Sequence, residues 1–95
     1  MLVGVLQLDL NIYQVASLKG KRAVVRKILG RLRNRFPVSA AEVGLYDSWQ
    51  RAALGFSVVA VERGQIEALF EKIEAEIEGS GLADLGERRA EILSF

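Results

Sequence analysis

The chain has 95 residues, which is enough for one domain with a modest core and too few for two. Hydrophobic residues make up 51% and charged residues 26%, as in a globular protein, and no apolar run is long enough to span a bilayer. Cysteine and histidine are both missing, which excludes disulfides, thiolate metal sites and catalysis by either side chain. The apolar first residues follow no basic region, so a signal peptide is not expected. We therefore predict a single cytoplasmic domain over residues 1–95 that does not associate with membranes.

The net charge of +1 hides a strong asymmetry between the two halves of the chain. Residues 1–46 carry eight basic and two acidic side chains, whereas residues 47–95 carry five basic and ten acidic ones. Such segregation indicates either a surface that binds a polyanion or two halves that attract each other.

The first part of the chain predicts a strand followed by a helix. Over residues 2–12 apolar side chains alternate with polar ones, which is the pattern of a strand with one buried face. Ser17 is a suitable N-cap for a helix over roughly residues 18–34, because its hydroxyl can accept a hydrogen bond from a free backbone N–H. The helix carries one apolar stripe, formed by Val25, Ile28, Leu29, Leu32 and Phe36. Pro37 ends it, since the residue before a proline disfavours the helical region.

The rest of the chain predicts two strands, a second helix and a last strand. Strands are expected over residues 38–46 and 51–62, joined by a short turn. The second helix opens at Gly64 and ends at the glycine cluster around Ser80. Its apolar stripe consists of Ile66, Leu69, Phe70, Ile73 and Ile77. The last strand falls within residues 84–95.

This order of elements predicts an α+β fold. Two βαβ-type units with right-handed crossovers place both helices on one face of a four-stranded antiparallel sheet. We therefore predict a ferredoxin-like βαββαβ domain that leaves the second face of its sheet open.

Eight basic side chains fall between Lys19 and Arg35, with no acidic residue among them. A cationic helix face attracts phosphate backbones through counterion release, without reading sequence. The predicted phosphate contacts are Lys21, Arg22, Arg26, Arg31, Arg33 and Arg35. The alternative is a charge match within the molecule, because the second helix carries five glutamates against the single Lys72.

The open face of the predicted sheet has no aromatic side chain on its central strands. Its residues are Val3, Val5, Gln7 and Asp9 from the first strand and Ala53, Ser57, Val59 and Val61 from the third. RNA-recognition domains of this architecture stack bases on aromatic residues at such positions, so stacking on the sheet is not expected. Small and branched residues favour packing against a second sheet, which predicts a homodimer. The alternative is a half-polar face in contact with solvent.

Trp49 and Arg51 lie in the segment between the two middle strands. An exposed tryptophan beside an arginine can act as a base-stacking platform or as an anchor for a protein partner. A tryptophan in such a segment more often folds back over a sheet edge or a dimer seam. The sequence leaves these interpretations open.

The sequence contains no motif for catalysis or for binding a cofactor. There is no Walker-type phosphate loop, and no GxGxxG pattern follows the first strand. The glutamates of the second helix are better explained as its solvated face than as catalytic carboxylates. We therefore expect no enzymatic activity, no cofactor, no metal and no small-molecule substrate.

Four segments spread along the chain form a recognisable combination. They are Ser17–Arg22, Arg31–Phe36, Val38–Val43 and Asp47–Gly55. In this combination the chain resembles the YlxP-like family, which consists of small bacterial domains of unknown function. The resemblance implies a ferredoxin-like fold and a link to translation, because its members are often encoded beside translation-initiation and ribosome-maturation factors. It supplies no catalytic or binding residues.

Two functional hypotheses follow from the sequence. The first is a non-catalytic binding module that contacts RNA or the ribosome through the basic first helix. The second is a homodimeric protein-interaction module without a nucleic-acid role, whose interaction residues are Trp49, Arg51, Val59 and Val61.

Overall fold

Six elements follow one another along the chain in a computed structural model that describes all residues, 1–95. They are β1 (Leu2–Ile12), α1 (Leu18–Arg35), β2 (Ser39–Gly44), β3 (Arg51–Ala60), α2 (Arg63–Gly79) and β4 (Ala83–Ser94). The strands form one antiparallel sheet in the order β2-β3-β1-β4, and both helices pack on the same face of it. The predicted ferredoxin-like βαββαβ arrangement is therefore confirmed.

The ends of α1 lie where the capping residues predict them. The hydroxyl of Ser17 accepts a hydrogen bond from the backbone N–H of Gly20 at 3.0 Å. At the other end Phe36 is already extended, because it precedes Pro37. The helix therefore covers the predicted span and one further residue.

The strand β2 is shorter than the sequence predicts. Its pairing with β3 shifts register between Glu42 and Gly44, and the backbone of Leu45 then turns into the left-handed region with φ 57°. The strand β3 ends at Ala60, so Val61 lies just beyond the sheet. These irregularities place the β2–β3 loop beside the start of α1.

The core lies between the sheet and the two helices. Alternate residues of β1 from Leu6 to Ile12 are buried there, against the apolar stripes of α1 and α2. The helix α2 approaches β1 closely at Gly4, where an added Cβ would overlap Cγ2 of Ile66. Neither helix combines the length and the apolar character needed to cross a membrane.

Candidate nucleic-acid interface

Lys21 is not available to a ligand, so its prediction as a phosphate contact is wrong. Its side chain is 0% exposed and lies on the apolar stripe of α1, between that helix and β2. The ammonium group donates to the carbonyl of Leu45 at 2.7 Å and forms an ion pair with Oε2 of Glu42 at 3.0 Å. The residue therefore fastens α1 to β2 and to the loop after it.

Four other cations of α1 lie in one row on the side of the helix that faces β2. We call this row the basic ridge, and it consists of Lys19, Arg22, Arg26 and Arg33. Spacings of three, four and seven residues keep these side chains on one face of a helix. With a rise of 1.5 Å per residue, the ridge is about 21 Å long. All four side chains are exposed, and none forms an ion pair with a carboxylate.

The basic ridge runs along the free edge of β2. The guanidinium of Arg33 donates to the carbonyl of Ala40, and the hydroxyl of Tyr46 donates to the carbonyl of Glu42 at 3.2 Å. Both bonds cover carbonyl groups that an edge strand would otherwise present to another strand. Lys21 connects α1 to the end of β2, and Arg33 connects it to the start of β2. The middle of the basic ridge therefore lies beside the free edge of β2. We call the basic ridge together with Tyr46 the edge strip.

Sequence reasoning missed two members of the edge strip. Lys19 could have been found, because its spacing to Arg22 and Arg26 places it on the same helix face. Tyr46 could not, because its position depends on the register shift in β2 and on the left-handed backbone of Leu45.

The remaining predicted cations lie on the opposite side of α1, toward α2. Arg31 lines the groove between the two helices together with Lys27 and Glu76. Arg35 forms an ion pair with Glu76 at 3.2 Å. This is the one ion pair between α1 and α2, so the alternative of an extended charge match between the helices is not what the structure shows.

Most of the acidic side chains of α2 point away from α1. Four glutamates follow one helix face at spacings of four, three and four residues. We call them the acidic ridge, and they are Glu67, Glu71, Glu74 and Glu78. Glu74 forms an ion pair with Arg88 of β4. Glu67 and Glu71 line a shallow cleft that also contains Arg88. The acidic ridge thus overlooks β4, at the edge of the sheet opposite to the basic ridge.

Trp49 is held on an ordered loop at one end of the edge strip. The loop is fixed at Leu45 by Lys21, and at Gln50, whose carbonyl accepts a hydrogen bond from the N–H of Ile12 at 2.7 Å. Trp49 is 53% exposed, so it does not fold back to become buried over the sheet edge. Arg51 turns instead toward the open face, where it pairs with Asp9 at 3.4 Å.

An apolar row crosses one end of the open sheet face. The pairing of β1 with its neighbours places Val59, Val3 and Leu93 side by side. Val59 is 62% exposed, and Val61, just after β3, is 84% exposed. Toward the other end the face becomes polar, because Gln7 lies beside Arg89.

Comparison with known proteins places the chain in a family. The profile of a family described as "Protein of unknown function (DUF503)" matches residues 3–89. The chain belongs to this family. A member of similar sequence is the uncharacterized protein YlxP of Bacillus subtilis (strain 168), which is 39% identical over 77 residues. This match covers 81% of the present chain and 84% of that protein, and it agrees with the YlxP-like resemblance noted from the sequence.

The DUF503 fold is also found in a solved structure of very different sequence. This chain superimposes on the crystal structure named "Putative Chlorite dismutase TA0507" with a TM-score of 0.58 and 10% sequence identity. The match covers 99% of this chain and 45% of that one, so the DUF503 chain spans less than half of its length. At this low identity the likeness concerns the fold alone.

Proposed function

We propose that this DUF503 domain is a non-catalytic module that binds RNA through the basic ridge of α1. The observation that carries the proposal is the separation of the two charged helix faces. Because the acidic ridge overlooks β4, it leaves Arg22 and Arg26 without a carboxylate partner. A cationic row of this kind is suited to a linear polyanion.

The chemistry of the ridge favours phosphate groups. Arginine, which supplies three of its four residues, donates two parallel hydrogen bonds to a phosphate and always carries its charge. Each phosphate neutralised in this way releases condensed counterions, so affinity depends steeply on salt. Contacts of this type position a nucleic acid and carry no sequence information by themselves. Any choice among RNAs must therefore come from features next to the ridge.

Charge reversal with a matched control tests the proposal. The double variant R22E/R26E inverts the centre of the ridge, whereas R63E/R89E changes the net charge equally at exposed positions outside the ridge. Binding of a fluorescently labelled RNA is measured by anisotropy over a series of salt concentrations. We expect R22E/R26E to weaken binding strongly and to reduce the slope of log K against log salt by about 1.4, as for two lost contacts to a single strand. R63E/R89E should retain the wild-type slope.

Two results would speak against the proposal. One is a wild-type protein that binds no RNA at low salt. The other is an equal loss of binding in both double variants, because net charge rather than the ridge would then explain the affinity.

A homodimer through the open sheet face is a second candidate function. The specific observation in its favour is the apolar row of Val3, Val59 and Leu93, of which Val59 and Leu93 are exposed. A specific interface buries roughly 800 Å² on each partner. The molecule measures 42 × 22 × 19 Å along its principal axes, so its open face is large enough to supply this area. This dimer leaves the basic ridge free, since the ridge lies at the β2 edge and on the helix side.

A further inference from the structure

Two exposed aromatic side chains lie at the end of the basic ridge where α1 begins. Tyr46 is 56% exposed and Trp49 is 53% exposed. The ammonium group of Lys21 lies 3.5 Å from the carbonyl of Tyr46, so the β2–β3 loop touches the first turns of α1. Arg22 follows Lys21 directly in the chain. The loop that carries both aromatic side chains therefore lies beside the first turns of α1, where Arg22 begins the arginine part of the basic ridge.

We infer that the edge strip binds unpaired RNA, with phosphates along the basic ridge and bases stacked on Tyr46 and Trp49. This inference rests on the function proposed above and specifies the form of RNA that the ridge receives. Proteins that bind single strands combine a cationic path for the backbone with aromatic platforms for the bases. Neither component alone would point to a single strand, whereas the contact between the β2–β3 loop and the start of α1 brings both to one end of the basic ridge.

The loop that carries the two rings is ordered before any ligand arrives. Its first turn closes when the N–H of Ser48 donates to the carbonyl of Leu45 at 3.1 Å, and the hydroxyl of Ser48 accepts from the N–H of Arg51 at 3.2 Å. The hydroxyl of Tyr46 is held by the β2 edge, so its ring is fixed while remaining half exposed. Rings held in place lose little conformational entropy when a base stacks on them.

The rest of the molecule explains why stacking is assigned to this end of the basic ridge. The open sheet face has valine, glycine, glutamine and serine on its central strands, so it has no ring at the positions where other domains of this architecture stack bases. A duplex keeps its bases stacked on one another and would use the phosphate contacts alone. The two rings therefore distinguish an unpaired strand from a duplex.

Trp49 is the single tryptophan of the chain, so its fluorescence reports on this end of the basic ridge alone. The titrants are a short oligouridylate and an RNA duplex of similar charge, with labelled strands for anisotropy. We expect the oligouridylate to quench Trp49 and to bind more tightly than the duplex. W49L and Y46L should each weaken single-strand binding by about fivefold or more, since a stacked base contributes about 1–3 kcal/mol. Neither variant should change duplex binding.

Variants that keep an aromatic ring show whether weaker binding in W49L and Y46L comes from lost stacking or from a disturbed fold. W49F and Y46F keep a ring, and Y46F removes only the hydroxyl that is bonded to Glu42. W49F should bind the oligouridylate nearly as well as the wild type, and Y46F should bind it more tightly than Y46L but more weakly than the wild type, because its ring is no longer held by the hydroxyl. Wild-type affinity in W49L and Y46L, together with lost binding in R22E/R26E, would overturn the inference and leave the proposed function standing. Absence of RNA binding by the wild type would overturn both.

Discussion

The ammonium nitrogen of Lys21 lies 3.0 Å from Oε2 of Glu42, and the lysine side chain has no exposed surface. That carboxylate oxygen is itself buried and has no hydrogen-bond partner besides this ion pair. The pair joins α1 to β2 at a place where neither the Lys21 nitrogen nor Oε2 of Glu42 is exposed, although the Glu42 side chain as a whole is 19% exposed. Removing one partner would leave the other without compensation.

We predict that K21M destabilises the fold by about 3 kcal/mol. Methionine keeps the apolar stem of the side chain, but it leaves Glu42 unpaired and the carbonyl of Leu45 without its donor. Breaking a buried ion pair usually costs about 3–5 kcal/mol. We expect the lower end of that range, because the Glu42 side chain is 19% exposed. Urea denaturation measures the free energy of unfolding for the wild type and the variant.

Two further variants show whether the broken ion pair between Lys21 and Glu42 causes the loss of stability in K21M. K19M removes an exposed cation of the same helix and should change the free energy of unfolding by less than about 0.5 kcal/mol. K21M/E42L replaces both charges with apolar groups and should recover much of the lost stability. A K21M variant as stable as the wild type would show that Glu42 is solvated after all.

The sequence contains a signal for this pair. Lys21 stands four residues before Val25, in phase with the apolar stripe, and Glu42 stands in phase with Val38 and Ala40 on β2. A count of positive charges along the helix does not show that Lys21 lies on the apolar stripe, because it treats every cation of the run as equally exposed. The alternation of apolar and polar residues, by contrast, was sufficient to predict the whole order of elements.

Other features of the site could not be read from one-dimensional patterns. A helical projection groups Glu67, Glu71, Glu74 and Glu78 on one face, but only the packed structure shows that this face overlooks β4. The position of Tyr46 depends on a strand irregularity for which the sequence offers no turn signature. The direction of the glutamates and the position of Tyr46 both depend on how the elements pack in three dimensions.

We predict opposite effects for alanine at two glycines. In G4A the new methyl group would overlap Cγ2 of Ile66 and would lie 2.9 Å from Cζ of Phe70. Both side chains are buried in the core and would have to shift, so G4A should cost about 1–3 kcal/mol. In G30A the methyl group meets nothing within 4 Å, and the helix should gain up to about 1 kcal/mol. Thermal unfolding of both variants checks the prediction, and equal stability of G4A and G30A would contradict it.

Tyr13 provides a prediction that depends on pH. Its hydroxyl donates to the carboxylate of Asp84, and this bond, with smaller contributions from desolvation and from the charge of Asp84, raises the pKa of Tyr13 above its ordinary value of 10.0. The neutral phenol is therefore favoured in the folded protein. Its stabilising effect is fully present below pH 10 and is lost as the pH rises through the folded pKa.

Ultraviolet absorbance of the tyrosinate measures this pKa. The background variant Y46F leaves Tyr13 as the single tyrosine. We expect D84N to lower the pKa of Tyr13 toward its ordinary value, because an amide cannot stabilise the neutral phenol as a carboxylate does. An unchanged titration curve in D84N would show that the hydrogen bond to Asp84 is not maintained in solution.

The apolar row on the open face predicts self-association that a single charge should abolish. We expect the wild type to sediment as a dimer and V59K to sediment as a monomer, because lysine would place a charge at the exposed β3 end of the row that Val59 forms with Val3 and Leu93. A75K adds the same charge at an exposed position on α2 and should leave the dimer intact. Circular dichroism should be unchanged in both variants, since Val59 is exposed in the single chain. A wild type that remains monomeric at high concentration, or a V59K variant that still dimerises, would exclude this face as the interface.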